Sequence, residues 1–199
     1  IVSEMPNMNY LQIFSHIITC LVEGEFMQME DVYRIDQGIE RYMTKTQKKT
    51  ADFMEGCMEL GGLLGGWSES EIVELKKYGH ALGMAFQITD DIMDYRETTA
   101  TTGKPVGNDL REGLLTYPLL SIVNDDNKDK LLEDIKALNN GGDEQAIIDY
   151  VIGQGGINNT LAVADQYCKD ALAALDAVRD FPGKEFLVMA VENLADRKV

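Results

Sequence analysis

The sequence predicts an all-α protein, a helical bundle built as a single domain over residues 1–199. Apolar residues recur at steps of three and four over long stretches, the period of a helix with one buried face. Alternating patterns and hairpin-turn signals are absent. Only four prolines interrupt 199 residues, so few positions forbid helix.

The elements follow in order. The first helix is expected over Met8–Tyr33, on a seam of Leu11, Phe14, Ile18, Leu21, Glu25 and Gln28. The second, Gly38–Leu64, carries the line Thr46, Thr50, Phe53, Cys57, Leu60 and Leu64 and stops at Gly65-Gly66,. The third, Glu69–Arg96, has one line of Leu75, Leu82, Phe86, Thr89 and Met93, and beside it His80, Gly83, Gln87, Asp90 and Asp94. The segment 98–107, rich in threonine and glycine, reads as a loop able to close over whatever lies before it,. Asp109–Val123, Lys128–Leu138, Glu144–Gly153, Ile157–Val178 and Glu185–Arg197 complete the set, separated by Gly141-Gly142, Gly155-Gly156 and Phe181-Pro182-Gly183,. Each of the first three helices turns polar at one end of its stripe. Buried polar groups are costly unless paired, so three such ends predict a polar pocket inside the bundle.

Composition narrows the function. Lys and Arg number 18 against 34 Asp and Glu, a formal charge of -16, which disfavours a nucleic-acid partner. Cys20, Cys57 and Cys168 lie far apart in helical patterns and read as reduced core residues of a cytoplasmic protein. No apolar run is long enough to span a bilayer. The chain opens on Ile1 rather than Met and inside what reads as an element, so it is expected to be part of a longer protein.

"QITDDIMDY", residues 87–95, places three aspartates in an otherwise apolar helix. Asp90 and Asp94 share a face at i and i+4, with Asp91 turned about 100° toward the rim. Two carboxylates about 6 Å apart repel by roughly 3 kcal/mol at an effective dielectric near 20. A cation is therefore expected between them. Oxygen ligands select a hard ion, and Mg²⁺ commonly completes its shell with water and substrate phosphate. Against this stands a plainer reading, in which the three are solvated charges on an outer face. A basic cluster, Arg41, Lys45, Lys48 and Lys49, breaks the acidic background. Lys45 and Lys48 read as a solubilising face, and Lys49, beside Thr50 on the inward line, as the better partner for an anion.

Taken together, "EGEFMQ" (23–28), "KKTADF" (48–53), "GMAFQITDDIMD" (83–94), "TGKPVGNDLREG" (102–113) and "TYPLL" (116–120) resemble the trans-isoprenyl (polyprenyl) diphosphate synthases. The resemblance runs through the whole chain in order. It implies an isoprenoid-synthase bundle that joins isopentenyl diphosphate to an allylic prenyl diphosphate, with Mg²⁺ ions linking aspartate-rich motifs to the diphosphate. Asp90, Asp91 and Asp94 match the second such motif. Lys49, Thr50, Gln87 and Lys104 match positions at the diphosphate and reacting centre, with Phe86 and Asp109 framing the site.

The chemistry implied is ionisation of a carbon–oxygen bond, which needs electrophilic stabilisation and no protein nucleophile. His16 and His80, read as ordinary packed or half-exposed residues without acid partners, agree with that. The first aspartate-rich motif of the family would lie upstream of Ile1, so these residues alone are not expected to turn over substrate. Leu114 stands where many members carry lysine, a weak pointer to longer products. A non-catalytic subunit of a two-component synthase is the alternative, and a class I terpene cyclase is disfavoured by the "GKPVGNDLREG" segment, 103–113. Pairing is expected, as a homodimer or a heterodimer, with Met27 and Met29 offering an apolar outer surface and no stable membrane anchor.

Overall fold

The computed structural model describes residues 8–96 and 107–196, and among them every regular element is helical. Ten α-helices follow in order: α1 (Met8–Glu30), α2 (Gly38–Thr46), α3 (Asp52–Leu64), α4 (Glu69–Arg96), α5 (Asn108–Glu112), α6 (Tyr117–Leu120), α7 (Lys128–Ala137), α8 (Glu144–Gly153), α9 (Gly156–Asp176) and α10 (Lys184–Asp196). A π-helical turn, Gln47–Ala51, joins α2 to α3, and a short 3₁₀ turn, Leu138–Asn140, follows α7. None of these helices is long and apolar enough to cross a membrane.

The centre is α4, flanked by α3 on one side and α9 on the other. Its buried residues serve two clusters. Met84, Ile88, Ile92 and Tyr95 join Leu110, Leu115 and Leu119 of the α5–α6 region and Ile147 and Val151 of α8. Tyr78, Ala81 and Ala85 join Ala171, Leu175 and Val191 of α9 and α10. Close approach of α4 to the chain before α3 depends on Gly83: a Cβ there would lie 2.6 Å from the Ala51 Cα. Gly83→Val is therefore expected to lower unfolding stability by about 1–3 kcal/mol through overpacking, read as a reduced urea midpoint at unchanged slope.

Four expectations need correction. The span Asp109–Val123 is not one helix but α5 and α6, because Gly113 adopts φ 74° and breaks the run in a conformation that favours glycine. The first helix stops at Glu30, and Tyr33, with φ 58°, turns the chain so that its amide donates to the Gly113 carbonyl at 2.8 Å. The third concerns which face of α1 is packed. Ile17, Cys20 and Gly24 of α1 are buried, with Asp31 just beyond its end, whereas Leu11, Phe14 and Ile18 of the expected seam are exposed. Phe53, Cys57 and Leu64 on α3 are exposed as well, so Cys57 is not a core residue. All three cysteines are free thiols. Met29 is exposed and Met27 half-buried.

Candidate functional site

The polar ends of the first three stripes do converge. Gln28 of α1, Lys49 and Thr50 of the π turn, and Gln87, Asp90 and Asp91 of α4 line one cavity of about 160 Å³, completed by Tyr42, Lys45 and Thr46 of α2 and by Asp109, Leu114, Leu115 and Thr116. Larger hollows exist, one of about 510 Å³ between α7 and α8, lined by Leu131, Ile147 and Tyr150 together with Asp126, Lys130 and Asp134, and it shares no residue with this cavity.

The π turn is what presents Lys49 and Thr50. An inserted residue in the helical ladder rotates the following face, a device found often at functional sites. It also explains why a line counted through Gly38–Leu64 as one helix begins buried at Thr46 and ends exposed at Leu64. Gly24 lets α1 lie against this turn, since a Cβ there would sit 2.8 Å from the Lys49 amide nitrogen. Lys49 Nζ then reaches Gln28 Oε1 at 3.0 Å and Glu25 at 2.9 Å.

One string of hydrogen bonds crosses the floor. Thr50 Oγ1 donates to Gln87 Oε1 at 3.1 Å, and Gln87 Nε2 donates to Asp91 Oδ1 at 3.2 Å. Tyr42 Oη donates to Asp91 Oδ2 at 2.5 Å. Both oxygens of Asp91 are thus satisfied, and its residue is only 3% exposed. Placing Asp91 at the rim was wrong: it is the innermost of the three, and Asp90 is the exposed one. Tyr42→Phe removes a donor from a buried carboxylate and should lower stability by about 1–3 kcal/mol, measurable by urea denaturation.

The remaining aspartates divide the work. Asp90 faces the cavity and makes no hydrogen bond or ion pair among the described residues. Asp94 accepts from the backbone amides of Asn108 at 3.1 Å and Asp109 at 3.2 Å, so its carboxylate pins the start of α5. Burial raises its pKa, partly offset by those two amides. Burial pushes Asp91 up to about 6, against the lowering effect of the Tyr42 and Gln87 donors. Asp109 is pushed up to about 7, first by burial and then by the charges of Asp94, Asp91 and Asp90. Asp90, Asp91 and Asp109 thus bring three carboxyl groups to one cavity, with Lys45 and Lys49 also in its lining.

Lys45 was misread as a solvated lysine. It is 8% exposed, with Nζ 3.1 Å from Gln37 Oε1 and 3.4 Å from the buried Asp31 carboxylate, and burial lowers its pKa. Arg41 also holds Asp31, at 2.6 Å, so the charges are balanced beside the cavity. Lys48 pairs with Glu23 and remains near the surface. Tyr42 and Lys45 are the site residues that sequence reasoning missed, although Lys45 and Lys49 stand four residues apart. Phe86 is 38% exposed and lies outside the cavity lining. Leu114 lines the cavity. Lys104 lies outside the described residues.

A bundle of helices centred on α4, with a carboxylate mouth facing a lysine and a threonine, defines an isoprenoid-synthase type of fold. The polyprenyl synthetase family profile matches residues 1–153, and the chain belongs to that family. Heptaprenyl diphosphate synthase component 2 of Geobacillus stearothermophilus is 32% identical over 176 residues, 88% of this chain and 55% of the relative. Octaprenyl diphosphate synthase of Escherichia coli is 30% identical over 189 residues, 94% of this chain and 58% of the relative. A decaprenyl diphosphate synthase structure from Rhodobacter capsulatus superposes with a TM-score of 0.86 at 26% identity, over 97% of this chain and 61% of that one. The chain thus spans a little over half the length of these two curated relatives.

Proposed function

We propose that the chain forms the diphosphate-ionising part of a trans-polyprenyl diphosphate synthase, which condenses isopentenyl diphosphate with an allylic prenyl diphosphate. The observation that carries this reading is the meeting of Lys49, Thr50, Gln87, Asp90 and Asp109 on one cavity. Donors and acidic groups face each other there across a space that suits a metal-bound diphosphate.

The residues present fit Mg²⁺. All the ligand candidates are hard oxygens, the Asp90 carboxylate has no hydrogen-bond or ion-pair partner among the described residues, and Asp109, whose pKa is raised first by burial and then by the nearby aspartates, lines the same cavity. Asp90 is the direct ligand on this reading, with Asp94 and Asp109 on the side of α5 and Asp91 holding Gln87 and Tyr42 in place. A bound Mg²⁺ supplies Lewis acidity to the departing diphosphate. Lys49 neutralises diphosphate oxygen from the opposite wall, which requires it to exchange Gln28 or Glu25 for substrate. Thr50 and Gln87 orient beside the reacting carbons, and Gln87 cannot flip freely because its two amide atoms already face Thr50 and Asp91. Phe86 and Lys104 belong to the same proposed site. As the allylic carbon–oxygen bond breaks, its electron pair leaves with diphosphate; the isopentenyl double bond attacks and a proton is lost.

A test is incubation of the full-length polypeptide with labelled isopentenyl diphosphate and an allylic starter. Products longer by five-carbon steps support the reading, and the absence of any labelled prenyl product opposes it. The relative named component 2 favours a second reading, in which the chain works as one component of a two-component synthase. Activity that appears only when a second polypeptide is added would select it. A homodimer and a cytoplasmic location belong to the first reading.

The acidic mouth also predicts a pH effect. Asp91 and Asp109 have folded-state pKa values of about 6 and about 7, above the ordinary 3.8. Their contribution to stability is complete below pH near 4 and is lost as pH rises through those values. Mg²⁺ should therefore raise the melting temperature more at pH 8 than at pH 5.5, read by differential scanning calorimetry.

A further inference from the structure

Away from the cavity, each of the two histidines stands among acidic groups, contrary to the expectation that they lack acid partners. His16 and Cys20 are one turn apart on α1, and Asp52 opens α3. One ligand atom from each lies within 4.8 Å of the other two. Cys20 Sγ is 3.6 Å from His16 Nε2 and 3.8 Å from Nδ1. In a tetrahedral zinc site, with Zn–S near 2.3 Å and Zn–N near 2.0–2.1 Å, the sulfur–nitrogen edge is about 3.5 Å. The apo spacing already approaches that edge. A small hollow whose polar lining is His16, Asp52, Glu55, Glu59 and Lys76 opens beside it.

Asp52 belongs also to a second group, with Glu55 and His80. There His80 Nδ1 is 3.6 Å from Glu55, but Lys76 already neutralises Glu55 at 3.5 Å and Glu59 at 2.8 Å. A cation is thus in place on that side. Around the first triad, Lys48 is engaged by Glu23, and Asp52 accepts from Gln47 Nε2 at 3.3 Å and stands beside the Cys20 thiol. Thiolate and imidazole donors prefer a borderline or soft ion to Mg²⁺.

We propose that His16, Cys20 and Asp52 form a binding site for a divalent transition ion of the zinc class at the seam of α1 and α3, separate from the carboxylate cavity. The ion ties the two helices together where Gly56 of α3 lets Ile17 of α1 pack against it. Three protein ligands leave a fourth position for water.

The test uses Co²⁺ as a spectroscopic stand-in, with excess Mg²⁺ present to saturate oxygen-only sites. The expected result is one equivalent of tightly bound Co²⁺ with a thiolate-to-metal charge-transfer band, displaced by Zn²⁺. Cys20→Ser should remove the band, while Cys57→Ser should keep it. Even outer-shell changes at metal sites cost about 10–100-fold in affinity, so His16→Ala and Asp52→Asn should weaken Zn²⁺ binding at least tenfold. His16 is exposed, so His16→Ala reports on the site without disturbing the core. Zn²⁺ should raise the melting temperature of the parent chain and not of His16→Ala. A missing charge-transfer band, a band that survives Cys20→Ser, or Zn²⁺ affinity unchanged in His16→Ala overturns the proposal.

Discussion

Asp90→Ala in the full-length polypeptide is expected to lower prenyl transfer by about 10²–10³-fold, the range seen when one group that stabilises transition-state charge is removed, while leaving the far-UV circular dichroism unchanged. The unchanged fold follows from Asp90 being exposed and having no hydrogen-bond partner among the described residues. Its neighbours behave differently. Asp91→Ala would strip acceptors from Tyr42 and Gln87, and Asp94→Ala would release the amides of Asn108 and Asp109. Loss of activity in those two variants mixes chemistry with structure. Asp90→Ala isolates the chemistry, and transfer at near parental rates would remove Asp90 from its assigned metal role.

Lys49→Ala is expected to weaken binding of an inorganic pyrophosphate probe by about 10- to 100-fold in the presence of Mg²⁺, as the loss of a charged hydrogen bond of about 1.5–3 kcal/mol implies. Glu25 and Gln28 hold Lys49 in waiting at 2.9 Å and 3.0 Å. Both lie near the C-terminal end of α1, so the lysine can turn toward the cavity without moving a helix. Lys48→Ala is the matched control: the same charge is removed one residue away, where it faces Glu23 instead of the cavity. Equal losses in the two variants would mean that general electrostatics, and not a specific contact, supports the anion.

Much of the fold was legible because helix period is a strong signal over long segments. The third helix, Glu69–Arg96, was placed at its observed ends. Gly113 shows where the reading failed: a single positive-φ residue divides a run whose apolar pattern looks continuous. The seam of α1 failed for another reason. Leu11, Phe14 and Ile18 are the more apolar choice, yet Gly24 and Cys20 mark the packed face because small residues permit close approach. Apolar character alone does not choose between two faces when one of them stays uncovered.

The site was legible in its parts and not in its internal order. Gln28, Thr46, Lys49 with Thr50, Gln87, Asp90 and Asp91 line one cavity, whereas Asp94 lies outside its lining and holds the start of α5. The depth of each aspartate was not readable, since a rotation of about 100° separates Asp90 from Asp91 whichever of them faces inward. Tyr42 decides it by reaching from α2 to Asp91, a contact across 49 residues of sequence. Lys45 was hidden similarly: its partner Asp31 lies in the turn after α1, where no helical period applies.

The central claim is that this carboxylate mouth holds a divalent ion together with a diphosphate group. Calorimetric titration of inorganic pyrophosphate into the chain, with and without Mg²⁺, tests it most directly. Pyrophosphate binding that requires Mg²⁺ and is lost in Asp90→Ala is the result predicted here; binding that proceeds equally well without Mg²⁺, or persists unchanged in Asp90→Ala, would contradict it.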